Sequence, residues 1–401
     1  MLWIEAKIIS GISNIKIKKE GRVHVGISME FCTKIWGMDV IMKLKTLIKK
    51  SGLLLLMLML VGSTVIGCGN SSADTSKEAD SDVAVKIGFA KGSLCLAPTH
   101  LAYLNGYYEE EFKAAGVSWK MEEVDLSQAA ELLAAGKINA CVGLTASLIQ
   151  PIDNGLDITF TTGLHTGCTK YYVAANSAIN SVVDLKGKKI GVPGLSDSST
   201  MNIKRKLNDL GIGVTTENME VTLVPYALTD LPLALSNGAV DAVALHDPVA
   251  YKAEEEYGFK KILDTGTDEK FIGEYCCESY VTTELATNNP KAAAAYTRAM
   301  QKAAAFIQAS PKEAAKIQID SGYCSGELET NAKLLNSYNY SPSVSAGLKT
   351  FKDAAVELKT IGDLKQDTDV EAFSSAHFTK FEDVPDSISY DTATKQFSKV
   401  K

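Results

Sequence analysis

The chain has eight cysteines and five histidines, yet no cysteines fall at C-x-x-C spacing and no histidines at H-x-x-x-H spacing. Local spacing therefore gives no metal-ligand set, and we expect neither metal nor cofactor. No apolar run is long enough to span a bilayer comfortably. The best, Leu53–Ile66, is short and bordered or interrupted by Gly52 and Gly62. No tandem repeat is present, and no lysine stands out as a Schiff-base residue. Positive charge is also scarce. Residues 1–67 hold ten Lys and Arg against four Asp and Glu, so the net −7 of the whole chain leaves −13 on the remainder. An acidic body argues against nucleic acid and anionic lipid surfaces as partners. It says little about a ligand, because one pocket can differ from the whole surface.

What is present begins with Met42–Asn70. A basic head (Lys43, Lys45, Lys49, Lys50) precedes the short apolar core, which ends in Val65-Ile66-Gly67-Cys68. That end resembles a bacterial lipobox, in which a small residue admits the peptidase and the cysteine thiol takes a diacylglyceryl group. Two acyl chains make a stable anchor where one does not. We expect residues 42–67 to be a lipoprotein signal peptide and Cys68 the lipidation site. Export signals begin near the true N-terminus, so residues 1–41 read as a gene-model extension; a cytoplasmic tail is the alternative. Residues 68–82 are small and polar and read as a flexible tether. The six other cysteines, Cys95, Cys141, Cys168, Cys276, Cys277 and Cys324, are even in number but not spaced like a small stapled scaffold. The adjacent Cys276 and Cys277 suit an ordinary long-range disulfide poorly.

From Val83 the pattern alternates strand and helix. Strands are expected at 83–90, 119–124, 138–144, 157–162 and 171–175, with Pro98 opening the first helix and Ser127 capping another. The alternation restarts with strands at 188–192, 220–224, 240–245, 260–263 and 275–282. Helices are expected at 290–308, 311–321, 328–337 and 344–361. Two βαβ blocks and a helical return imply α/β lobes with mostly parallel sheets.

Four stretches carry a family likeness. They are Gly88 through Ala97-Pro98 to Tyr107-Tyr108, Glu131–Ala140, Asp184–Pro193 and Leu235–Ala242. In this order they resemble the periplasmic solute-binding proteins of the nitrate, sulfonate, taurine and thiamine-pyrimidine group (NMT1-like), over about Val83–Ser321. The resemblance implies a two-lobed type II periplasmic-binding-protein fold with two crossings between lobes. We place these near Tyr172–Asn176 and Asp264–Tyr275. Lobe one then comprises 83–175 and the helical return 271–401, and lobe two 176–270. It implies a monomeric, lipid-anchored, extracytoplasmic subunit of an ABC importer, with a small-molecule ligand and with permease and ATPase subunits as partners, and no enzyme activity.

In parallel α/β sheets, ligands sit beyond the carboxyl ends of the strands. That rule selects the loops at 91–97, 145–147, 163–170, 193–200 and 246–248. From these we expect Ser93, Leu94, Thr145, His165, Thr166, Ser198, Ser199 and His246 to touch ligand, with Tyr275 added from the second crossing. Free amides at the helix start after 193–197 suit an anionic or polar group, although Ser196 or Asp197 could simply cap that helix and a carboxylate there would repel a bare anion. Asp247 could likewise be only a cap. His165 and Cys168 could bind ligand, or a metal together with Cys95 or Cys276 and Cys277; otherwise His165 is a hydrogen-bonded cleft residue and Cys168 a small packing thiol. The expected solute is small and polar or anionic. Two other readings compete. One is a pyridoxal-phosphate pyrimidine synthase of the same fold, which would need a cleft lysine and no export signal. The other is a metal- or haem-scavenging lipoprotein built on His165, Cys168 and His246.

Overall fold

A computed structural model describes residues 83–400 and three short strands ahead of them. These are β1 (Ile4–Ala6), β2 (Asn14–Ile17) and β3 (Val23–Gly26), which form an antiparallel sheet. The expected signal peptide, Cys68 and the tether lie outside the described residues. The chain divides into two units, 1–74 and 75–401, and the second carries everything below.

Its first part runs β4 (Val85–Phe89), α1 (Ala97–Leu104), α2 (Tyr107–Ala115), β5 (Trp119–Glu123), α3 (Ala129–Ala134), β6 (Ala140–Leu144), α4 (Thr145–Asp153) and β7 (Ile158–His165). The middle part runs β8 (Thr169–Val173), β9 (Lys189–Val192), α5 (Ser198–Asp209), β10 (Thr222–Pro225), α6 (Leu231–Ser236), β11 (Ala242–His246), α7 (Val249–Tyr257) and β12 (Lys260–Asp264). The last part holds β13 (Cys277–Thr282), α8 (Thr283–Asn288), α9 (Pro290–Ala309), α10 (Pro311–Asp320), α11 (Leu328–Ser337), α12 (Val344–Thr360), α13 (Val370–Ala376) and a hairpin of β14 (Ile388–Asp391) and β15 (Gln396–Lys399).

These strands form two five-stranded sheets, ordered β5-β4-β6-β13-β7 and β10-β9-β11-β8-β12. In each, four strands share one direction and a single strand opposes them: β13 in the first, β8 in the second. The opposed strand is the one that has just arrived from the other sheet. β8 already pairs with β11 and β12, so the chain changes sheets at 166–168, ahead of the expected Tyr172–Asn176. The local sequence of β8 (Thr-Lys-Tyr-Tyr-Val) does not say which lobe it joins; long-range pairing decides. The return lies at 265–276, between β12 and β13.

The edge of the first sheet at β7 is covered rather than left open. Gly163 and Ser343 exchange backbone hydrogen bonds (3.0 and 3.2 Å), and Phe160 pairs with His377 and Thr379. A covered edge offers no template for a stray strand. Helix α9, rich in buried alanine, packs against α1 and α2, with Tyr296 and Met300 meeting Tyr108 and with Arg298 and Lys302 paired to Glu111 of α2. The expected Ser127 cap is replaced by a 3-10 turn at Leu126–Gln128, and α3 starts at Ala129.

His100 on α1 ties three segments together. Its Nε2 lies 2.8 Å from the Ala90 carbonyl at the end of β4, and its Nδ1 lies 2.9 Å from Gln318 Nε2 on α10. The first nitrogen must donate and the second accept, which the neutral ring satisfies. Burial holds its pKa down at about 4. The unfolded chain, with an ordinary histidine near 6.5, therefore binds the proton first as pH falls. Stability falls from pH 6.5 to about 4 by about 3 kcal/mol on this account. A His100→Gln variant should be less stable at pH 7 but lose less between pH 6.5 and 4 in urea melts. Parallel wild-type and variant profiles would exclude this role.

Candidate functional site

The two crossing segments are fastened to each other. Cys276 N–H donates to the His165 carbonyl (3.0 Å), Thr265 N–H to the Thr169 carbonyl (3.1 Å), and Thr169 N–H to Thr265 Oγ1 (3.3 Å). Between them Gly167, at φ +80°, lies against Gly266; a Cβ on Gly167 would fall 3.0 Å from the Gly266 Cα. Both the left-handed backbone and the close approach call for glycine there.

Beside these segments, between the two sheets, lies a cavity of 470 Å³. The first lobe supplies the loop after β4 (Ala90, Gly92, Ser93, Cys95, Leu96), the end of β6 (Val142–Leu144), Leu126 and Ala129, Ser147 and Leu148 of α4, and Cys277 and Tyr280 of β13. The second supplies Leu228 and His246–Val249. These are the carboxyl ends of β4, β6 and β11, as the strand rule requires. The wall is mainly apolar. No Lys or Arg lines it among the described residues.

Its charges are paired within the protein. His246 places Nε2 2.8 Å from Asp197 Oδ1 and Nδ1 3.1 Å from Thr169 Oγ1. Burial opposes its charge, but the Asp197 carboxylate outweighs burial and holds the imidazolium up to about 10. Asp197 also caps α5, accepting from Ser199 N–H (2.8 Å). Asp247 pairs with Lys170 through Oδ2, which also accepts from Tyr338 O–H (3.0 Å); its Oδ1 accepts from Tyr251 N–H (3.0 Å). Both carboxylates are thus committed.

Of the residues expected to touch ligand, Ser93 and His246 line this cavity. The others lie elsewhere. Leu94 is buried and its carbonyl accepts from Tyr340 O–H (3.0 Å). Thr145 Oγ1 donates to the Tyr275 carbonyl (2.9 Å) and faces Glu278. Thr145, Ser198 and Tyr275 line a separate 20 Å³ cavity, about the room of one water. Thr166 is buried in the first crossing, where its N–H donates to Asn339 (3.2 Å). Ser199 spends both N–H and Oγ on Asp197. Tyr275 lays its ring on Gly163, where a Cβ would come within 2.4 Å of it, and donates O–H to Ser341. His165 is fully buried between the rings of Tyr338 and Tyr340 (5.4 and 4.8 Å). Its Nδ1 lies 3.3 Å from Cys276 Sγ.

Cys95, Cys277 and Asp247 were not expected to line the cleft. Cys95 sits inside the loop 91–97 that the strand rule selected. Cys277 could not be placed, because only pairing of β13 between β6 and β7 decides which way it faces. Cys168 and Cys276, one on each crossing segment, stand 3.0 Å apart, sulfur to sulfur.

With this geometry in place, comparison with known proteins adds the family. A family model described as NMT1/THI5 like matches residues 96–314, more than half of the chain. The protein belongs to that family. It is 30% identical over 224 residues to the "Putative aliphatic sulfonates-binding protein" of Escherichia coli (strain K12). That alignment takes in 54% of this chain and 64% of the relative, slightly under two thirds of its length. The solved periplasmic aliphatic sulphonate-binding protein SsuA from Escherichia coli superposes with a TM-score of 0.59 at 20% identity, covering 72% of this chain and 96% of the other. The periplasmic nitrate-binding protein NrtA from Synechocystis PCC 6803 gives 0.61 at 14% identity, covering 73% and 85%. These superpositions place the two lobes in the periplasmic-binding-protein fold.

The His246–Asp197 pair is mostly buried, and breaking such a pair is costly because one charge is left alone. Asp197→Ala removes the helix cap as well. We expect a loss of about 3 kcal/mol in chemical denaturation at pH 7. A loss within about 0.5 kcal/mol would put the pair among the surface bridges that contribute little.

Proposed function

We propose that this chain is the solute-binding subunit of an ABC importer. It is held outside the cell membrane by lipid on Cys68 and closes two lobes over one small organic molecule. The observation that carries this reading is the 470 Å³ cleft between two sheets joined covalently only at 166–168 and 265–276 among the described residues. A ligand that touches both lobes favours the closed state by its differential affinity for it. The closed form would then be the one that the permease and ATPase subunits recognise. No helix among the described residues is long and apolar enough to cross a membrane.

The cleft wall sharpens the ligand class. With His246 and Lys170 already paired to carboxylates, the described residues offer no free cation in the cleft wall to a bare anion. The apolar wall from Leu126, Val142, Leu144, Leu148 and Leu228 suits a solute with a largely apolar body and little net charge. This moves the expectation away from a polar or anionic solute. A pyridoxal-phosphate enzyme is less well supported: no lysine lines the cleft among the described residues, and Lys170 behind it is held by Asp247.

A thermal-shift screen tests the reading. A solute at a hundred times its dissociation constant adds about 2.7 kcal/mol to stability. Neutral heterocyclic or branched aliphatic solutes should raise the melting point while nitrate leaves it unchanged, and Ser93→Trp, which fills the cleft, should abolish the shift. A shift with nitrate alone, or one that survives Ser93→Trp, would reject this ligand class. The anchor is tested separately by metabolic labelling with palmitate. Cys68→Ala should lose the label, and retained label would remove the anchor from the proposal.

A further inference from the structure

Under the floor of the cleft, His165, Cys168, Cys276 and Cys277 bring one donor atom each within 4.8 Å of all the others. Three of the four residues are buried and Cys276 is half-buried. Cys168 Sγ lies 3.0 Å from Cys276 Sγ, and His165 Nδ1 lies 3.3 Å from Cys276 Sγ. A tetrahedral ion bound at about 2.3 Å by sulfur and 2.0 Å by nitrogen spaces its donors roughly 3.5 to 3.8 Å apart. The observed 3.0 to 4.8 Å brackets that spacing. A disulfide between Cys168 and Cys276 would account for two of the four donors. It would leave the convergence of Cys277 and His165 without a partner.

We propose that these four residues form a binding site for a thiophilic d10 metal ion, Zn²⁺ or Cu⁺. Thiolate and imidazole donors select such ions over Mg²⁺ or Ca²⁺, which take oxygen. Each thiol that coordinates releases its proton to solvent, and the metal keeps its oxidation state. Cys277 also lines the cleft, so the ion reaches the site from that side. Cys168 belongs to the first crossing segment and Cys276 to the second, so the bound ion joins the two strands about which the lobes turn. The site stands whatever solute the cleft takes.

The test uses the untagged full-length chain, reduced with a phosphine and kept free of oxygen. Added Co²⁺, as an optical stand-in for Zn²⁺, should give thiolate-to-metal charge-transfer absorption that saturates at one equivalent and is displaced by Zn²⁺. X-ray absorption of the zinc-loaded wild type should show a shell of sulfur with one nitrogen, a readout that needs no variant. Cys168→Ser with Cys276→Ser should lose stoichiometric binding while keeping the wild-type circular dichroism. Three outcomes would overturn the proposal: a shell of oxygen and nitrogen only, full binding in the double variant, or metal-free protein from untreated cells that carries a Cys168–Cys276 disulfide.

Discussion

All covalent connection between the two sheets passes through two short stretches, 166–168 and 265–276, and these are hydrogen-bonded to each other at their two ends. The Cys276–His165 and Thr265–Thr169 bonds and the Gly167–Gly266 contact hold them side by side. The rest of the arrangement depends on this fastening. It explains why each sheet has one reversed strand, since the chain enters each by the strand that follows a crossing. It also fixes where the cleft can be, because loops at the carboxyl ends of β4, β6 and β11 face one another only if the crossings are held together.

The lobes also meet through charge on the side lined by α5 and α12. Arg205, buried at 1% exposure, donates to Glu274 of the second crossing (2.8 and 2.9 Å) and to Glu357 of α12 (2.6 Å), and Lys204 pairs with Asp363. Burial opposes the charge on Arg205, and the two carboxylates more than compensate. A buried guanidinium with two carboxylate partners specifies one geometry more than it adds stability. The cleft uses charge in the same way: His246 with Asp197 and Lys170 with Asp247 set the positions of loops and leave the wall itself without free charge.

Strand and helix placement was largely legible in the sequence. Alternating apolar residues and glycine stops located β4, β6, β9, β11 and the long helices to within a few residues. The strand rule selected the loop that holds Ser93 and Cys95 and the one that holds His246. The sequence did not show which side chains would be taken up by protein partners. Ser199 and Thr145 carry hydroxyls that suit a ligand, but each finds a protein partner first: Asp197 for one, the Tyr275 carbonyl for the other. His165, in a glycine-bearing loop by sequence, ends a buried strand against two tyrosines.

By itself the sequence determined the α/β class and the order of strands and helices, because periodicity and turn residues are local properties. Tertiary structure alone decided which sheet β8 joins, which carboxylate neutralises which cation, and that His165, Cys168, Cys276 and Cys277 converge. Those outcomes rest on contacts between distant segments, such as Lys204 with Asp363, 159 residues apart, a separation across which no periodicity carries information.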